Sequence, residues 1–140
     1  MWIGAPERKP IPMHPINDPD VVAEVEDAFR RYEAALVSND VVALDAFFWM
    51  DERTIRYGGS ESLHGYSAIA AFRAARSPVD LARTLENTVI TTFGRNFATA
   101  STLFRRASAP GRIGRQMQTW VRMDEGWRVV AAHVSVIAKP

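Results

Sequence analysis

The sequence contains no cysteine, which excludes disulfides, thiolate metal ligands and a cysteine nucleophile. It also lacks any run of about 18 apolar residues, so we expect no segment that crosses a membrane. The first residues mix Glu7, Arg8 and Lys9 with prolines and have no apolar signal core. We therefore expect a soluble, cytoplasmic protein.

Lysine is nearly absent. Only Lys9 and Lys139 are lysines among 17 basic residues, and the others are arginines. The arginine fork matches carboxylates and phosphates in two-point contacts. No basic stripe interleaved with aromatic residues is present, so nucleic acid is not an expected partner. The simpler alternative is that most of these arginines are solvated surface charges.

Several catalytic motifs are missing as well. There is no G-x-x-x-x-G-K-[ST] phosphate loop, no G-x-G-x-x-G and no G-x-S-x-G nucleophile elbow. The three histidines, His14, His64 and His133, occur in separate segments without the spacing of paired metal ligands. The sequence therefore predicts no metal and no organic cofactor.

The 140 residues suffice for one domain with a real core. Residues 1–16 contain four prolines and predict an irregular arm, and residues 17–138 predict the domain. Asp18 and Pro19 suit the start of a helix, whose apolar stripe includes Tyr32. Two shorter helices and then long strands follow. This order predicts an α+β fold, a cone-shaped roll in which a strongly curved, mixed or antiparallel sheet wraps around about three N-terminal helices.

The last two strands predict a hairpin with a turn at Glu125-Gly126. In that register Gln118 lies opposite His133. One face then mixes an aromatic side chain with hydrogen-bonding groups, as in a small-molecule pocket. The other face is apolar. The predicted pocket face carries Gln116, Gln118, Trp120, His133 and Ser135, and the apolar face carries Met117, Val121, Met123, Val130, Val134 and Val136.

A flat apolar face on an open sheet favours self-association. We therefore expect a homodimer or homotetramer formed through the open face of the sheet, with the polar set lining a pocket inside the cone.

The segments "RYGGSESLHGYSAIAAFRAAR" and "DEGWRVVAAHVS" resemble the nuclear transport factor 2-like (SnoaL-like) superfamily. More narrowly, "NDPDVVAEVEDAFRRYEAALVSNDVVAL", "RYG", "GRQMQTWVR" and "AAHVS" together resemble the AtzH group, which also includes the HpxZ proteins. The superfamily contains isomerases, dehydratases, cyclases and non-catalytic domains, so the fold alone does not define the chemistry.

The narrower resemblance implies a role beside amidases in the breakdown of small nitrogen compounds. The implied reaction converts 1,3-dicarboxyurea to allophanate in cyanuric acid catabolism, and the implied catalytic residues are Tyr32 and Arg56. We thus expect a cofactor-independent amidohydrolase of a small anionic substrate. The alternatives are a non-catalytic, anion-binding accessory subunit of an amidase pathway and a SnoaL-like or ketosteroid isomerase-like isomerase.

The residues themselves leave their roles open. Arg56, on a short apolar strand, either meets a substrate carboxylate or forms an ion pair with Asp51 or Glu52. Tyr32 is either a packed core residue or a proton donor at a C–N bond. Arg73 and Arg76 lie about one helical turn apart, and we expect Arg73 to face inward. Gln118, Trp120, His133 and Ser135 are expected to bind and orient the substrate rather than to act as nucleophiles.

Overall fold

The computed structural model describes Gly4 and residues 15–140. Aspartate side chains cap the starts of the first two helices. Helix α1 spans Pro19–Val37, and the Asp18 carboxylate accepts a hydrogen bond from the backbone nitrogen of Asp20 at 3.0 Å. Helix α2 spans Val41–Phe47 and is capped by Asp40, while α3 spans Tyr66–Ala75 and follows Gly65 at φ +94°. The prediction of three helices in the N-terminal part is confirmed.

Six strands of the described chain form one curved, unclosed sheet in the order β2-β1-β6-β5-β4-β3. The strands are β1 Ile55–Tyr57, β2 Ser62–His64, β3 Thr84–Phe93, β4 Phe97–Arg105, β5 Arg112–Met123 and β6 Gly126–Ala138. Strands β1 and β6 pair in parallel, and the other neighbours are antiparallel. The predicted α+β roll with a mixed sheet is confirmed.

The helices cover one face of this sheet, here called the inner face, and form the core with it. On β4 and β5 the buried residues alternate with less buried ones, as expected when only one face is covered. The inner face carries Ala98, Ala100, Thr102 and Phe104 from β4 and Gly114, Gln116, Gln118 and Trp120 from β5.

The predicted register of the β5–β6 hairpin is wrong by a single residue over most of its length. The turn is Asp124-Glu125, so Met123 pairs with Gly126. From this turn as far as Trp120, each β5 residue pairs two positions before its predicted partner on β6, which leaves the faces unchanged. A β-bulge then places Val130 as an extra residue, because Trp120 pairs with Val129 but Thr119 pairs with Ala131. One extra residue reverses the facing of all that follows on β6.

His133 and Ser135 therefore lie on the outer face, opposite Met117 and Arg115, and not beside Gln118 as predicted. The expected apolar face is divided in the same way. Val134 and Val136 pair with the inner residues Gln116 and Gly114, whereas Met117 stays outside. The bulge is a property of two paired strands, so alternation within one strand could not reveal it.

The predicted irregular arm at residues 1–16 lies almost wholly outside the described residues. From residue 15 the chain follows β3. Ile16 forms an isolated bridge with Phe93, and the Asn17 backbone nitrogen donates to the Thr92 carbonyl at 3.0 Å. No helix in the described part of the chain is long and apolar enough to cross a membrane.

Candidate functional site

Arg56 lies on the inner face, at the middle of β1. Its neighbour on β6 is Ala132, which in turn pairs with the inner residue Gln118. The guanidinium carbon lies 5.5 Å from the centre of the Phe72 ring on α3, and the side chain is 15% exposed. Arg56 is thus held between the sheet and a helix.

Arg56 also has an internal partner. Its Nη1 donates to Glu61 Oε1 at 2.7 Å, so the open alternative of an ion pair applies, but with Glu61 in place of Asp51 or Glu52. Asp51 instead pairs with Arg53. The β1–β2 turn brings Glu61 back to Arg56 through the hydrogen bond from Gly58 N to Glu61 O.

The Glu61 carboxylate folds closely over the glycines of this turn. A Cβ on Gly58 would lie 1.8 Å from Glu61 Oε1, so glycine is needed there for the observed contact. Ser60 donates to Glu61 Oε2 from its backbone nitrogen at 3.2 Å and from its hydroxyl at 3.0 Å. Burial alone would raise the pKa of Glu61, but the hydrogen bonds from Arg56 and Ser60 outweigh it and lower the pKa. Glu61 is therefore a charged partner of Arg56.

Tyr32 projects from α1 into a cage of aromatic rings and is 5% exposed. Its ring centre lies 6.0 Å from those of Phe47 and Trp120, both in edge-to-face geometry, and 6.2 Å from that of Phe48. These contacts fix the ring. The Tyr32 hydroxyl forms no hydrogen bond with another described residue, which leaves it free to donate to a ligand.

Two buried glutamines follow one another along the inner face of β5. Trp120 Nε1 donates to Gln118 Oε1 at 3.1 Å, and Arg83 Nη2 donates to Gln116 Oε1 at 3.0 Å. Since indole and guanidinium groups are donors only, both amides must offer them oxygen and keep their NH₂ groups for other partners. The predicted wall residues Gln118 and Trp120 thus lie in the cone, with Gln118 presenting a donor.

Arg73 faces inward as expected and is 5% exposed. It forms an ion pair with Asp45 of α2 and lies 4.7 Å over the Phe48 ring. Arg76 is only partly buried: its Nε is buried, and its Nη2 donates to Asn39 Oδ1 at 3.4 Å.

Sequence reasoning missed an ion pair at the other end of the inner face. The Arg83 guanidinium, 2% exposed, binds Glu33 of α1 through Nε at 2.7 Å and Nη2 at 2.6 Å. It lies 4.5 Å over the Phe104 ring, and that ring lies directly on Gly114, where a Cβ would meet it at 2.0 Å. A glycine inside a strand was the available signal for such a close approach.

Arg76 and Arg106 have no acidic partner among the described residues. The Nε atoms of both, and Gln116 Nε2, are buried without a hydrogen-bond partner there. Burial, and then the neighbouring Arg73, lower the pKa of Arg76; burial, and then Arg83, lower the pKa of Arg106. Arg56, Arg73 and Arg83 thus each pair with a carboxylate, whereas Arg76 and Arg106 form no ion pair in the described chain, although the charges of Glu33 and Asp80 act against the lowering of the Arg106 pKa.

His133 and Ser135 take no part in this inner cluster. The His133 ring lies 6.1 Å from the Tyr57 ring on the outer face, and Ser135 accepts a hydrogen bond from Arg115 Nε at 3.2 Å. Both residues line an outer cavity of about 480 Å³ together with Leu103, Arg115 and Met117. No group of three His, Asp or Glu side chains in the described chain is arranged to hold a metal ion.

A curved sheet wrapped over three helices, with a polar interior, defines the nuclear transport factor 2-like class, also described as the cystatin-like fold. Solved members include a nuclear transport factor 2-like protein of unknown function from Pseudomonas putida, at 19% identity over 81% of this chain and 84% of that chain, with a TM-score of 0.67. Within this class the chain belongs to the AtzH-like family, whose model matches residues 14–140.

Two solved structures are much more similar in sequence. A protein of unknown function from the DUF3225 family of Pectobacterium atrosepticum is 56% identical, with coverage of 91% and 100% of the two chains and a TM-score of 0.88. A cystatin-like fold protein from Burkholderia xenovorans is 51% identical, with coverage of 91% and 99% and a TM-score of 0.87. No curated protein matches the chain significantly.

Proposed function

We propose that this protein cleaves a C–N bond of a small, doubly carboxylated urea without a cofactor, of the type 1,3-dicarboxyurea to allophanate. The observation that carries the proposal is the set of five arginines in the cone, of which Arg76 and Arg106 form no ion pair in the described chain. Buried charge of this kind calls for an anion of opposite charge. Membership of the AtzH-like family adds support.

The reaction balances with a single proton. In the dianion, the bond between one nitrogen and its terminal carboxylate carbon breaks, and that carboxylate leaves as carbon dioxide. The electron pair of the bond stays on nitrogen, which takes up the proton, so that the dianion and one proton give the allophanate monoanion and carbon dioxide. Hydration of the carbon dioxide to bicarbonate completes a formal hydrolysis.

Three inner residues supply what this step needs. Arg56 binds one terminal carboxylate in place of Glu61, in a two-point, charge-assisted contact. Tyr32, fixed by its aromatic cage, donates the proton to the departing nitrogen. The Gln118 amide, oriented by Trp120, donates to the urea carbonyl and stabilises negative charge that develops there. His133, on the outer face, has no role in this scheme.

The test is the rate of allophanate formation from 1,3-dicarboxyurea by Tyr32→Phe and Arg56→Ala. We expect each to lose about 100-fold or more, as is typical for removal of a proton donor or of a charged contact made in the transition state. Tyr57→Phe and Arg53→Ala are matched controls, since Tyr57 faces outward and the Arg53 side chain is 73% exposed. Full activity in both folded test variants would show that the site is elsewhere.

A non-catalytic accessory role is the second candidate. It is favoured by the pairing of each carboxylate of the described cone with an arginine, which leaves none free as a general base. The same pairing argues against isomerase chemistry that depends on a free carboxylate base. The purified chain alone decides between the two: allophanate formation supports catalysis, whereas tight anion binding without turnover supports the accessory role.

A further inference from the structure

Four buried side-chain polar atoms have no hydrogen-bond partner among the described residues, and three of them are N–H donors. These three are Arg76 Nε, Arg106 Nε and Gln116 Nε2; the fourth is the Thr92 hydroxyl, which can both donate and accept. An unmade hydrogen bond of a buried donor costs free energy, and more so for a charged group. A group that accepts several hydrogen bonds and carries negative charge would satisfy all three.

The surrounding contacts hold these donors in place. Arg83 fixes the Gln116 amide by donating to its oxygen, and Arg83 is itself held by two hydrogen bonds to Glu33. Arg106 stacks on the Phe104 ring at 4.8 Å, on which Arg83 also stacks. A donor set fixed by packing before the ligand arrives loses less conformational entropy on binding.

Arg76 extends this set toward the proposed catalytic residues. It follows α3 directly, and its hydrogen bond from Nη2 to Asn39 Oδ1 is long at 3.4 Å. Phe72, four residues earlier in the same segment, lies 5.5 Å from the Arg56 guanidinium. The end of α3 that carries Arg76 therefore packs near Arg56, and Arg106 is among the positive charges that lower the pKa of Arg76.

We propose that Arg76, Arg106 and Gln116 form a second anion subsite, distinct from Arg56, which binds a carboxylate of the ligand. The site then requires two carboxylates, one at each subsite, and rejects ligands with one. The identity of the natural ligand as a dicarboxylated urea depends on the proposed function, but the requirement for two carboxylates does not. Arg83 and Arg106 also line a cavity of about 500 Å³, which Arg76 and Gln116 do not line.

The test is calorimetric binding of glutarate and glutaramate to the whole chain. Glutarate has the same five-atom backbone as 1,3-dicarboxyurea and cannot undergo its cleavage, and glutaramate replaces one carboxylate by a neutral amide. We expect wild type to prefer glutarate by about 10- to 100-fold, the usual effect of a charged hydrogen-bonded contact. Equal affinity for the two ligands in wild type would by itself overturn the proposal, even if no variant folds.

The variants locate the second carboxylate. Arg76→Gln and Arg106→Gln are expected to abolish most of the glutarate preference and to change glutaramate affinity little. Arg115→Gln is the matched control, since Arg115 is exposed, adjoins Gln116 in sequence and projects to the outer face. If both test variants keep the wild-type preference, the second carboxylate binds elsewhere and the subsite is wrong.

These outcomes are separate from those of the proposed function. If the preference depends on Arg76 and Arg106 but the purified chain makes no allophanate, the subsite stands and the proposed reaction fails. If allophanate forms and the preference is unchanged in both variants, the reaction stands and the subsite fails.

Discussion

Glu61→Gln is expected to weaken the fold and to strengthen anion binding, two effects of opposite sign from one substitution. In the free protein the Glu61 carboxylate accepts a hydrogen bond from Arg56 Nη1 at 2.7 Å. A ligand carboxylate must displace it, so the pair acts as an internal competitor. Glutamine keeps the shape and removes the charge.

The magnitude follows from the burial of the pair. Both side chains are about 15% exposed, so the pair is neither fully exposed nor fully buried. A surface ion pair is worth at most about 1 kcal/mol, whereas disrupting a fully buried pair costs about 3–5 kcal/mol. We expect the free energy of unfolding to fall by about 1–2 kcal/mol at pH 7. In the variant the ligand no longer displaces a carboxylate from Arg56, so the affinity for glutarate should rise by about 5- to 30-fold.

The pH dependence has a defined sign. Because the pKa of Glu61 is lowered by folding, its stabilisation is fully present above the ordinary carboxyl value of 4.5 and is lost as pH falls through the lower folded value. The difference in stability between wild type and Glu61→Gln should therefore be full at pH 7 and shrink steadily below about pH 4.5. Urea unfolding at several pH values measures it.

Gly58→Ala tests the same reasoning without changing any charge. A Cβ at residue 58 would lie 1.8 Å from Glu61 Oε1, and the carboxylate, at the end of a flexible side chain, can swing away from Arg56. Gly59→Ala is the control, since nothing lies within 4 Å of its Cβ. We expect tighter glutarate binding in Gly58→Ala and Glu61→Gln only. Weaker binding in both would refute the idea that Glu61 competes with the ligand.

Three further predictions concern stability, a surface carboxylate and self-association. Gly114→Ala should lower the free energy of unfolding by about 1–3 kcal/mol, because the new Cβ would overlap the buried Phe104 ring. Gly111→Ala is the control, since its Cβ meets nothing within 4 Å, and urea unfolding should show little change for it. The Asp51 pKa, lowered to about 2 by hydrogen bonds from the Arg53 side chain and backbone, should rise toward 3.8 in Arg53→Gln; an unchanged NMR titration would assign the shift to the backbone alone. We also propose that the protein forms a homodimer or homotetramer through the outer face, where Phe97 and Met117 are 41% and 54% exposed. Met117→Asp should then give monomers in light scattering at about 10 μM, whereas Val42→Asp, at an 82% exposed helical position, should not; a wild-type monomer would contradict this.

Local rules predicted the elements well because their causes are local. Asp18 and Asp40 accept hydrogen bonds from the first turns that follow them, and Asn39, at φ +53°, interrupts the helical run between α1 and α2. Alternation along β5 separated inner from outer residues correctly within the strand. None of these inferences required knowledge of a distant contact.

The composition of the site depended on contacts that no single segment encodes. The bulge at Val130 moved His133 and Ser135 to the outer face, and it is defined only when β5 and β6 pair. The partner of Arg56 was expected among the nearest acids in sequence, but the β1–β2 turn supplied Glu61 instead. Arg83 lies in the segment between α3 and β3, where no periodic pattern could indicate its pairing with Glu33.

The total charge of the chain also concealed the property on which the proposals depend. The protein carries a formal charge of only +1, yet five arginines lie in the inner cluster and two of them, Arg76 and Arg106, form no ion pair in the described chain. The useful signal was the choice of arginine over lysine. A lysine loses its charge readily when buried, whereas arginine keeps it and must find an anion. Arg56, Arg73 and Arg83 each pair with a carboxylate of the chain. The binding experiments test whether a carboxylate of the ligand pairs with Arg76 and Arg106.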